Sequence, residues 1–244
     1  SVVQTSGKRR GVTVSEPISH VLGPLHRTLY DHLSDQQWLL RGEARGRKFS
    51  QFTKKRGEVF VSGDYESATD NLSLATAERI LSRILDRAKN VPFSLKVYAL
   101  RSLRAEISYP GSRLKPVQQQ RGQLMGNYLS FPLLCLQNYF AFRFLVPRPV
   151  PVRINGDDIV FRCSPCEYSR WAEGVGALGL TLSRGKTLVD KSFFSLNSSF
   201  FQGELRRVRE IPVIRASTLL SKGAPPSGGS FARFVRGWTG KSRR

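Results

Sequence analysis

The stretch Val150-Pro-Val-Arg-Ile-Asn-Gly-Asp-Asp-Ile-Val-Phe-Arg-Cys163 contains the clearest structural signal in this 244-residue chain. On both sides of Asn155-Gly-Asp-Asp158, apolar residues occupy every second position, which is the pattern of half-buried β-strands. An Asn-Gly pair between two such runs favours a tight turn, because both residues tolerate a positive φ. The stretch therefore predicts a β-hairpin that carries two adjacent carboxylates, those of Asp157 and Asp158, at its tip.

Two consecutive aspartates at a turn repel each other, and a bound cation is one way to neutralise them. A solvated acidic turn is the alternative. A third acid, Asp64, ends the β-rich run Glu58-Val-Phe-Val-Ser-Gly-Asp64, and it would lie beside the hairpin tip if the two strands pair in one sheet. Carboxylates at adjacent strand ends can hold two Mg²⁺ ions about 3.5 to 4 Å apart, an arrangement that serves phosphoryl transfer.

The charge of the chain points to a polyanionic partner. Its 39 basic and 18 acidic residues give a net charge of +21, and nucleic acid is the commonest polyanion that such a protein binds. The net charge is +7 in residues 1–57, +5 in residues 58–205 and +9 in residues 206–244. Basic ends around a middle that holds most of the acids favour an enzyme that holds cations over a pure nucleic-acid coat.

Several classes of protein do not fit this composition. No apolar run reaches the roughly 18 residues of a membrane span, and the N-terminus has no apolar stretch that would indicate a signal peptide. Three cysteines are too few for a disulfide scaffold, so a reducing compartment, by default the cytosol, is expected. Cys163-Ser-Pro-Cys166 lacks a convincing set of four ligands, so zinc is not predicted.

The remaining patterns predict both helices and strands, and therefore an α+β fold. Helices are predicted at 17–40 with a bend or break at Pro24, at 72–90 with Asp70 or Asn71 as cap, at 93–104, at 122–145 with a kink or a delayed start at Pro132, and at 168–178. The apolar stripe predicted for the fourth helix is Leu129, Leu133, Leu136, Phe140 and Phe144. Strands are predicted at 58–64 and 180–182, and a second hairpin at 193–201 turns at Asn197. The core is the expected place for Phe193, Phe194, Phe200 and Phe201, with base stacking as the alternative.

Six segments resemble the motifs of viral RNA-dependent RNA polymerases, specifically those of the ourmiavirus (botourmiavirus), narnavirus and mitovirus group. In chain order, the segments similar to motifs F, A, B, C, D and E are residues 7–14, 62–72, 122–138, 154–159, 179–187 and 193–201. The resemblance implies a right-hand polymerase palm, which is an antiparallel sheet backed by helices, with partial fingers and a partial thumb. It divides the chain into partial fingers (1–57), palm (58–205) and a basic C-terminal segment (206–244).

The resemblance also implies roles for individual residues in the reaction. Asp64 and Asp157 would bind two Mg²⁺ (or Mn²⁺) ions, with Asp158 as a nearby acid. Lys186 would be the general acid that protonates the departing pyrophosphate.

Further residues would bind the substrates. Those assigned to the ribose are Asp70, Ser130 and Asn138, those assigned to the triphosphate are Lys8 and Arg10, and those assigned to a loop near template and nucleotide are Gly122, Met125 and Gly126. For Asp70, a helix cap is the simpler alternative.

The function implied is template-directed RNA synthesis, with an RNA template, the RNA product and nucleoside triphosphates as partners. Because 244 residues are few for such a polymerase, a further polymerase chain or a missing segment is expected. Two alternatives stay open, a reverse transcriptase-like palm and a non-catalytic basic RNA-binding or coat protein. The host cytoplasm is the expected location, and the mitochondrion is the alternative.

Overall fold

The computed structural model describes residues 1–5, 8–183 and 185–213, and it describes their side chains except for residues 4, 5 and 8–10. The described strands are β1 (Val2–Thr5), β2 (Lys8–Gly11), β3 (Val59–Gly63), β4 (Glu106–Ile107), β5 (Val117–Gln118), β6 (Val152–Asn155), β7 (Asp158–Cys163), β8 (Leu188–Asp190), β9 (Phe193–Leu196), β10 (Ser199–Gly203) and β11 (Val208–Ile211). The helices are α1 (Gly23–Ser34), α2 (Ala68–Asn71), α3 (Leu74–Arg87), α4 (Phe93–Arg101), α5 (Ser130–Leu145) and α6 (Pro165–Gly174).

The central element is a four-stranded antiparallel sheet in the order β6-β7-β3-β8. Its two inner strands, β3 and β7, are buried on both faces, which explains why their apolar residues run almost continuously. Val61, Ile159 and Phe161 belong to the main core, which also contains residues of α3, α5 and α6. The alternate residues Phe60 and Val160 join a second core with the hairpin β9–β10. The expected antiparallel sheet backed by helices is thus confirmed.

The first hairpin is confirmed, and its turn spans residues 155–158 as predicted. Asn155 pairs with Asp158, so the two loop residues are Gly156 and Asp157. Gly156 has a φ of +66°, which a residue without a Cβ adopts most easily. Asp157 therefore occupies the loop itself, while Asp158 is the first residue of β7.

The second hairpin turns at Asn197 as predicted, with positive φ values at Asn197 and Ser198. The prediction of a core position is correct for Phe194 and Phe201, which are fully buried, and wrong for their neighbours Phe193 and Phe200, which are about 40% exposed. Alternation along a strand sends adjacent residues to opposite faces, so only one residue of each pair reaches the core. Strand β11 extends this sheet, so the predicted palm boundary at residue 205 falls inside a β-hairpin.

Several helix boundaries differ from the prediction for local reasons. Pro24 lies in the first turn of α1, where its missing N–H costs nothing, so the proline begins a helix instead of bending one. The cap of α3 is Ser73, whose Oγ accepts from the Thr76 N–H at 3.2 Å, and neither Asp70 nor Asn71 takes this role. The two predicted caps lie instead inside the separate short helix α2.

Two further predictions differ from the structure, namely the buried face of α5 and the strand at 180–182. Phe140 and Phe144 are 50% and 76% exposed, and the buried side of α5 includes Cys135, Asn138 and Phe142. The strand prediction at 180–182 is wrong, because Leu182 forms only an isolated bridge and the strand that joins the sheet is β8.

Gly63 at the end of β3 is expected to tolerate no side chain. A Cβ there would approach Trp171 Cη2 to 2.7 Å and Ile159 Cγ2 to 2.8 Å, and both neighbours are fully buried. We expect Gly63→Ala to lower the free energy of unfolding by about 1–3 kcal/mol, the usual cost of overpacking. Urea denaturation measures this loss, with Gly176→Ala as the control because its Cβ would meet nothing within 4 Å. Equal losses for the two variants would contradict the packing argument.

An ion-pair network joins residues at the end of the sheet opposite the hairpin tip. Arg148 donates to Glu167 and Glu58 at 2.8 Å, and the buried Arg162 donates to Glu58 at 2.6 Å. Ser164 and Glu167 form a capping box at the start of α6. The pKa of Glu167 is lowered to about 2, chiefly because Arg148 donates hydrogen bonds to its carboxylate.

We expect Glu167 to make stability depend on acidic pH. Its pKa in the folded chain lies below the ordinary value of 4.5, so its stabilisation is present above about pH 4.5 and is lost as the pH falls toward 2. The melting temperature of Glu167→Gln should therefore lie below that of the original chain at pH 6, and the difference should shrink between pH 4.5 and 2. Glu173→Gln, an exposed change on the same helix, is the control. A difference that stays constant with pH would refute this assignment.

Candidate active site

Three carboxylates meet at one end of the central sheet. Gly63 of β3 pairs with Ile159 of β7, so one step further Asp64 lies opposite Asp158. Asp157 precedes Asp158 in the exposed turn. The pKa of Asp158 is raised to about 6, chiefly by burial and further by the negative charges of Asp157 and Asp64. The fold therefore gathers the three predicted acids, and it does so through the pairing of strands about 100 residues apart in sequence.

Lys186 provides a positive charge next to this group. Its Nζ lies 3.4 Å from Asp64 Oδ2, an oxygen that is buried and accepts no hydrogen bond. The segment that carries Lys186 is attached to the backbone of Asp64, because the Ser183 N–H donates to the Asp64 carbonyl at 2.8 Å. Thr187 Oγ1 closes the turn by donating to the Ser183 carbonyl at 2.9 Å. The predicted general acid and a predicted metal ligand are thus direct neighbours.

The donor set suits a hard divalent cation. Carboxylate oxygens are the ligands that Mg²⁺ prefers, and Asp64 Oδ2 accepts no hydrogen bond, although Lys186 Nζ lies 3.4 Å away. The mutual repulsion that raises the pKa of Asp158 would be relieved by a bound cation. Within the described residues, no three His, Cys, Asp or Glu side chains are placed to hold a metal ion together. Asp157 is exposed in its turn, where its carboxylate would be accessible to a cation.

The predicted ribose residues occupy two different environments. Asp70 is exposed on α2. Ser130 is buried and its Oγ donates to the Leu124 carbonyl at 2.7 Å. Asn138 is fully buried, and both ends of its carboxamide are occupied by Tyr65 and Gly156. Both residues of α5 are buried, so Asp70 is the one of the three that already faces solvent.

The loop before α5 lies close to the backbone of two other segments. A Cβ on Gly122, whose φ is +79°, would approach the Thr69 carbonyl oxygen to 2.5 Å. A Cβ on Gly126 would collide with the Thr13 carbonyl, and the Gly126 N–H donates to Thr13 Oγ1 at 3.2 Å. Both glycines are therefore required for close packing against α2 and the segment after β2. Met125 between them is 52% exposed, which agrees with a residue that can contact a ligand.

Two groups of residues remain, the predicted ones on β2 and those that the sequence did not single out. The predicted triphosphate residues Lys8 and Arg10 belong to β2 through their backbone, and their side chains lie outside the described residues. Three residues that the sequence did not single out for the site are Tyr65, Gln123 and the buried Cys135. Tyr65 directly follows Asp64, and Gln123 lies inside the Gly122–Gly126 loop, so position within the motifs was a usable signal for both. For Cys135 no local signal exists.

An antiparallel sheet that presents acids from two adjacent strand ends, backed by helices and joined by a second hairpin, defines the palm of a right-hand nucleic-acid polymerase. The chain matches the family model described as mitovirus RNA-dependent RNA polymerase over residues 1–213. The chain therefore belongs to the mitovirus RNA-dependent RNA polymerase family, and the predicted resemblance is confirmed.

A curated relative and several solved structures agree with this assignment. The relative is the RNA-dependent RNA polymerase of Ourmia melon virus (isolate Melon/Iran/VE9), 34% identical over 185 residues that cover 67% of this chain and 22% of the relative. The chain thus spans about a fifth of that relative's length. Similar structures include the BmCPV RNA-dependent RNA polymerase at elongation state (12% identity, 86% of this chain and 22% of that one, TM-score 0.62).

Two further structures show how widely the fold is shared. The RNA-dependent RNA polymerase of a human picorbirnavirus, an insertion loop deletion mutant, is 13% identical and covers 80% of this chain and 41% of that one, with a TM-score of 0.60. An apo telomerase from Candida tropicalis is 11% identical and covers 86% of this chain and 54% of that one, with a TM-score of 0.62. The fold alone therefore does not separate RNA polymerases from telomerase.

Proposed function

We propose that this chain carries the catalytic palm of a viral replicase, a nucleotidyltransferase that extends an RNA strand on an RNA template. The observation that carries the proposal is the group formed by Asp64, Asp157 and Asp158 with Lys186 at 3.4 Å from Asp64. Family membership and the polymerase named for the Ourmia melon virus relative support it. Because the chain spans about a fifth of that relative, a further polymerase segment or chain is part of the proposal.

In the proposed reaction, the 3′-oxygen of the RNA attacks the α-phosphorus of the nucleoside triphosphate, and the bond to the β-phosphate oxygen breaks. Asp64 and Asp157 would hold two divalent cations, Mg²⁺ or Mn²⁺, whose charge stabilises the attacking and leaving oxygens when bound. Asp158 lies beside this pair as a third acid. Lys186 would give its proton to the leaving pyrophosphate, and its position next to Asp64 keeps that proton at the metal side of the site.

Basic side chains elsewhere on the chain would bind the RNA backbone. Lys54, Arg206 and Arg207 line a surface cavity beside the hairpin β9–β10. Phosphate contacts of this kind make affinity for RNA fall steeply with salt.

Among the described helices, none combines the length and the apolar character needed to cross a membrane. Replication in the host cytoplasm, with the mitochondrion as the alternative, is part of the proposal and follows from the resemblance alone.

Primer extension on a short RNA template tests the proposal directly. The chain would be incubated with Mg²⁺ or Mn²⁺ and either ribonucleotides or deoxyribonucleotides. We expect extension with ribonucleotides. Preferential use of deoxyribonucleotides would instead favour a reverse transcriptase-like enzyme, the alternative kept open by the likeness to telomerase. RNA binding that needs neither divalent ions nor Asp64 and Asp157, without any extension, would favour a non-catalytic RNA-binding or coat protein.

Asp70 gives a selectivity prediction within this assay. If its exposed carboxylate accepts a hydrogen bond from the ribose 2′-hydroxyl, Asp70→Ala removes a charge-assisted bond that a deoxyribonucleotide cannot make. We expect the preference for ribonucleotides, measured as the ratio of kcat/KM values, to fall about tenfold or more. Asp86→Ala, an exposed change on α3, should leave the ratio unchanged. An unchanged ratio in Asp70→Ala would show that Asp70 does not recognise the ribose 2′-hydroxyl.

A further inference from the structure

Two side chains of α5 form hydrogen bonds with the backbone of the turn between β6 and β7. Cys135 and Asn138 are three positions apart and so lie on one face of the helix. The Gly156 N–H donates to Cys135 Sγ at 3.2 Å, and Asn138 Nδ2 donates to the Gly156 carbonyl at 3.0 Å. Both polar groups of the residue that immediately precedes Asp157 are therefore held by α5.

The same asparagine reaches the strand that carries the other metal-ligand candidate. Asn138 Oδ1 accepts from the Tyr65 hydroxyl at 3.0 Å, and Tyr65 immediately follows Asp64. One carboxamide thus joins the direct neighbours of Asp64 and Asp157.

The side chains that form these hydrogen bonds are buried, which strengthens the bonds. Cys135 and Asn138 are fully buried, and Tyr65 is 4% exposed. Hydrogen bonds in such surroundings are stronger than bonds exposed to water, and breaking one leaves a buried polar group without a partner.

The turn itself has little freedom to move along α5. A Cβ on Gly156 would lie 3.1 Å from the Phe131 ring, so the backbone of the turn is packed directly against the first turn of the helix. A small shift of α5 would therefore be passed to the position of Asp157.

We propose that Cys135 and Asn138 are positioning residues that set the separation of the Asp64 and Asp157 carboxylates, and that Tyr65 is the third member of this connection. The proposal rests on the proposed function in one respect, since it takes these carboxylates as the ligands of divalent cations. It assigns to Asn138 a task different from ribose binding, because both ends of its carboxamide are used inside the protein.

The test measures Mn²⁺ binding to the 244-residue chain by electron paramagnetic resonance of free Mn²⁺, which requires no catalytic turnover. Tyr65→Phe removes only the hydroxyl, and Cys135→Ala removes only the sulfur acceptor. We expect each to weaken Mn²⁺ binding about threefold to tenfold, the effect of one lost hydrogen bond. Cys135→Ser restores an acceptor of similar size, so its Mn²⁺ binding should return to within about twofold of the original chain.

Matched controls separate positioning from general stability. Cys163 is also fully buried and belongs to the same core, but it lies at the far end of β7. Cys163→Ala should cost a similar amount of stability and leave Mn²⁺ binding unchanged. Asn138→Leu should weaken Mn²⁺ binding, while the ratio of ribonucleotide to deoxyribonucleotide use stays as it is in the original chain.

The outcomes distinguish this proposal from the proposed function. If Asp157→Asn abolishes Mn²⁺ binding while Tyr65→Phe and Cys135→Ala bind Mn²⁺ like the original chain, the positioning role is wrong and the metal site stands. A lowered nucleotide ratio in Asn138→Leu with unchanged Mn²⁺ binding would overturn the proposal in favour of a ribose role. If the original chain binds no Mn²⁺, both the positioning role and the proposed function fail.

Discussion

Asp157→Asn is expected to reduce primer extension at least about 10³-fold, because it removes a negative charge from a site that must hold divalent cations during phosphoryl transfer. The substitution keeps the size of the side chain in an exposed turn, so the fold should be retained. Single-turnover extension of a labelled RNA primer with Mg²⁺ measures the loss. Mn²⁺ binding measured on the same variant reports the metal site separately from the reaction.

Asp35→Asn is the control for this experiment, since Asp35 is exposed at the end of α1, outside the carboxylate group. Extension by Asp157→Asn at the rate of this control would contradict the proposed catalytic role of Asp157. If neither the original chain nor the variant extends a primer, the palm assignment is retained, and the activity must depend on further segments of the polymerase.

Lys186→Met should lower kcat about 10²-fold and have a smaller effect on KM. General acid catalysis by one side chain contributes on this scale, and methionine keeps the length of lysine without its proton. The contact between Lys186 Nζ and Asp64 Oδ2 places the lysine at the end of the sheet that carries the acids. Rapid-quench measurement of a single nucleotide addition separates this chemical step from RNA binding.

Lys191→Met is the matched variant, because Lys191 is an exposed lysine just beyond β8. It removes the same charge from the chain and should extend primers normally. A rise in KM with unchanged kcat in Lys186→Met would show that the lysine contributes only to nucleotide binding, and it would exclude the proton-transfer role.

The residues of the hairpin β6–β7 show how far local sequence can predict a site. The alternation around Asn155 and Asp158 predicts both strands, and the acids at the tip indicate the chemistry. The turn at residues 155–158 was predicted correctly, although Asn155-Gly156 and Gly156-Asp157 both suit its two central positions. Pairing of Gly63 with Ile159 and burial of β7 select the observed register, and this information comes from another part of the chain.

Helix α5 shows where a periodicity argument fails. A stripe containing Phe140 and Phe144 has correct helical spacing, yet both side chains are largely exposed. The helix contacts the sheet and other helices on several sides, so nearly its whole N-terminal half is buried and no single stripe describes it. The polar Asn138 in that interior is explained by its partners, Tyr65 and Gly156, which no spacing rule could identify.

The sequence by itself determined the class of the fold, the family and the acids proposed for the site, because alternation, charge and motif order are properties of residues close together in the chain. Only the tertiary structure decided which of these residues contact one another. Asp64 meets Asp158 and Lys186, and Asn138 joins Tyr65 to Gly156, through packing of elements that lie tens of residues apart. The physical reason is that backbone periodicity is local, whereas the relative placement of strands and helices results from burial summed over the whole core.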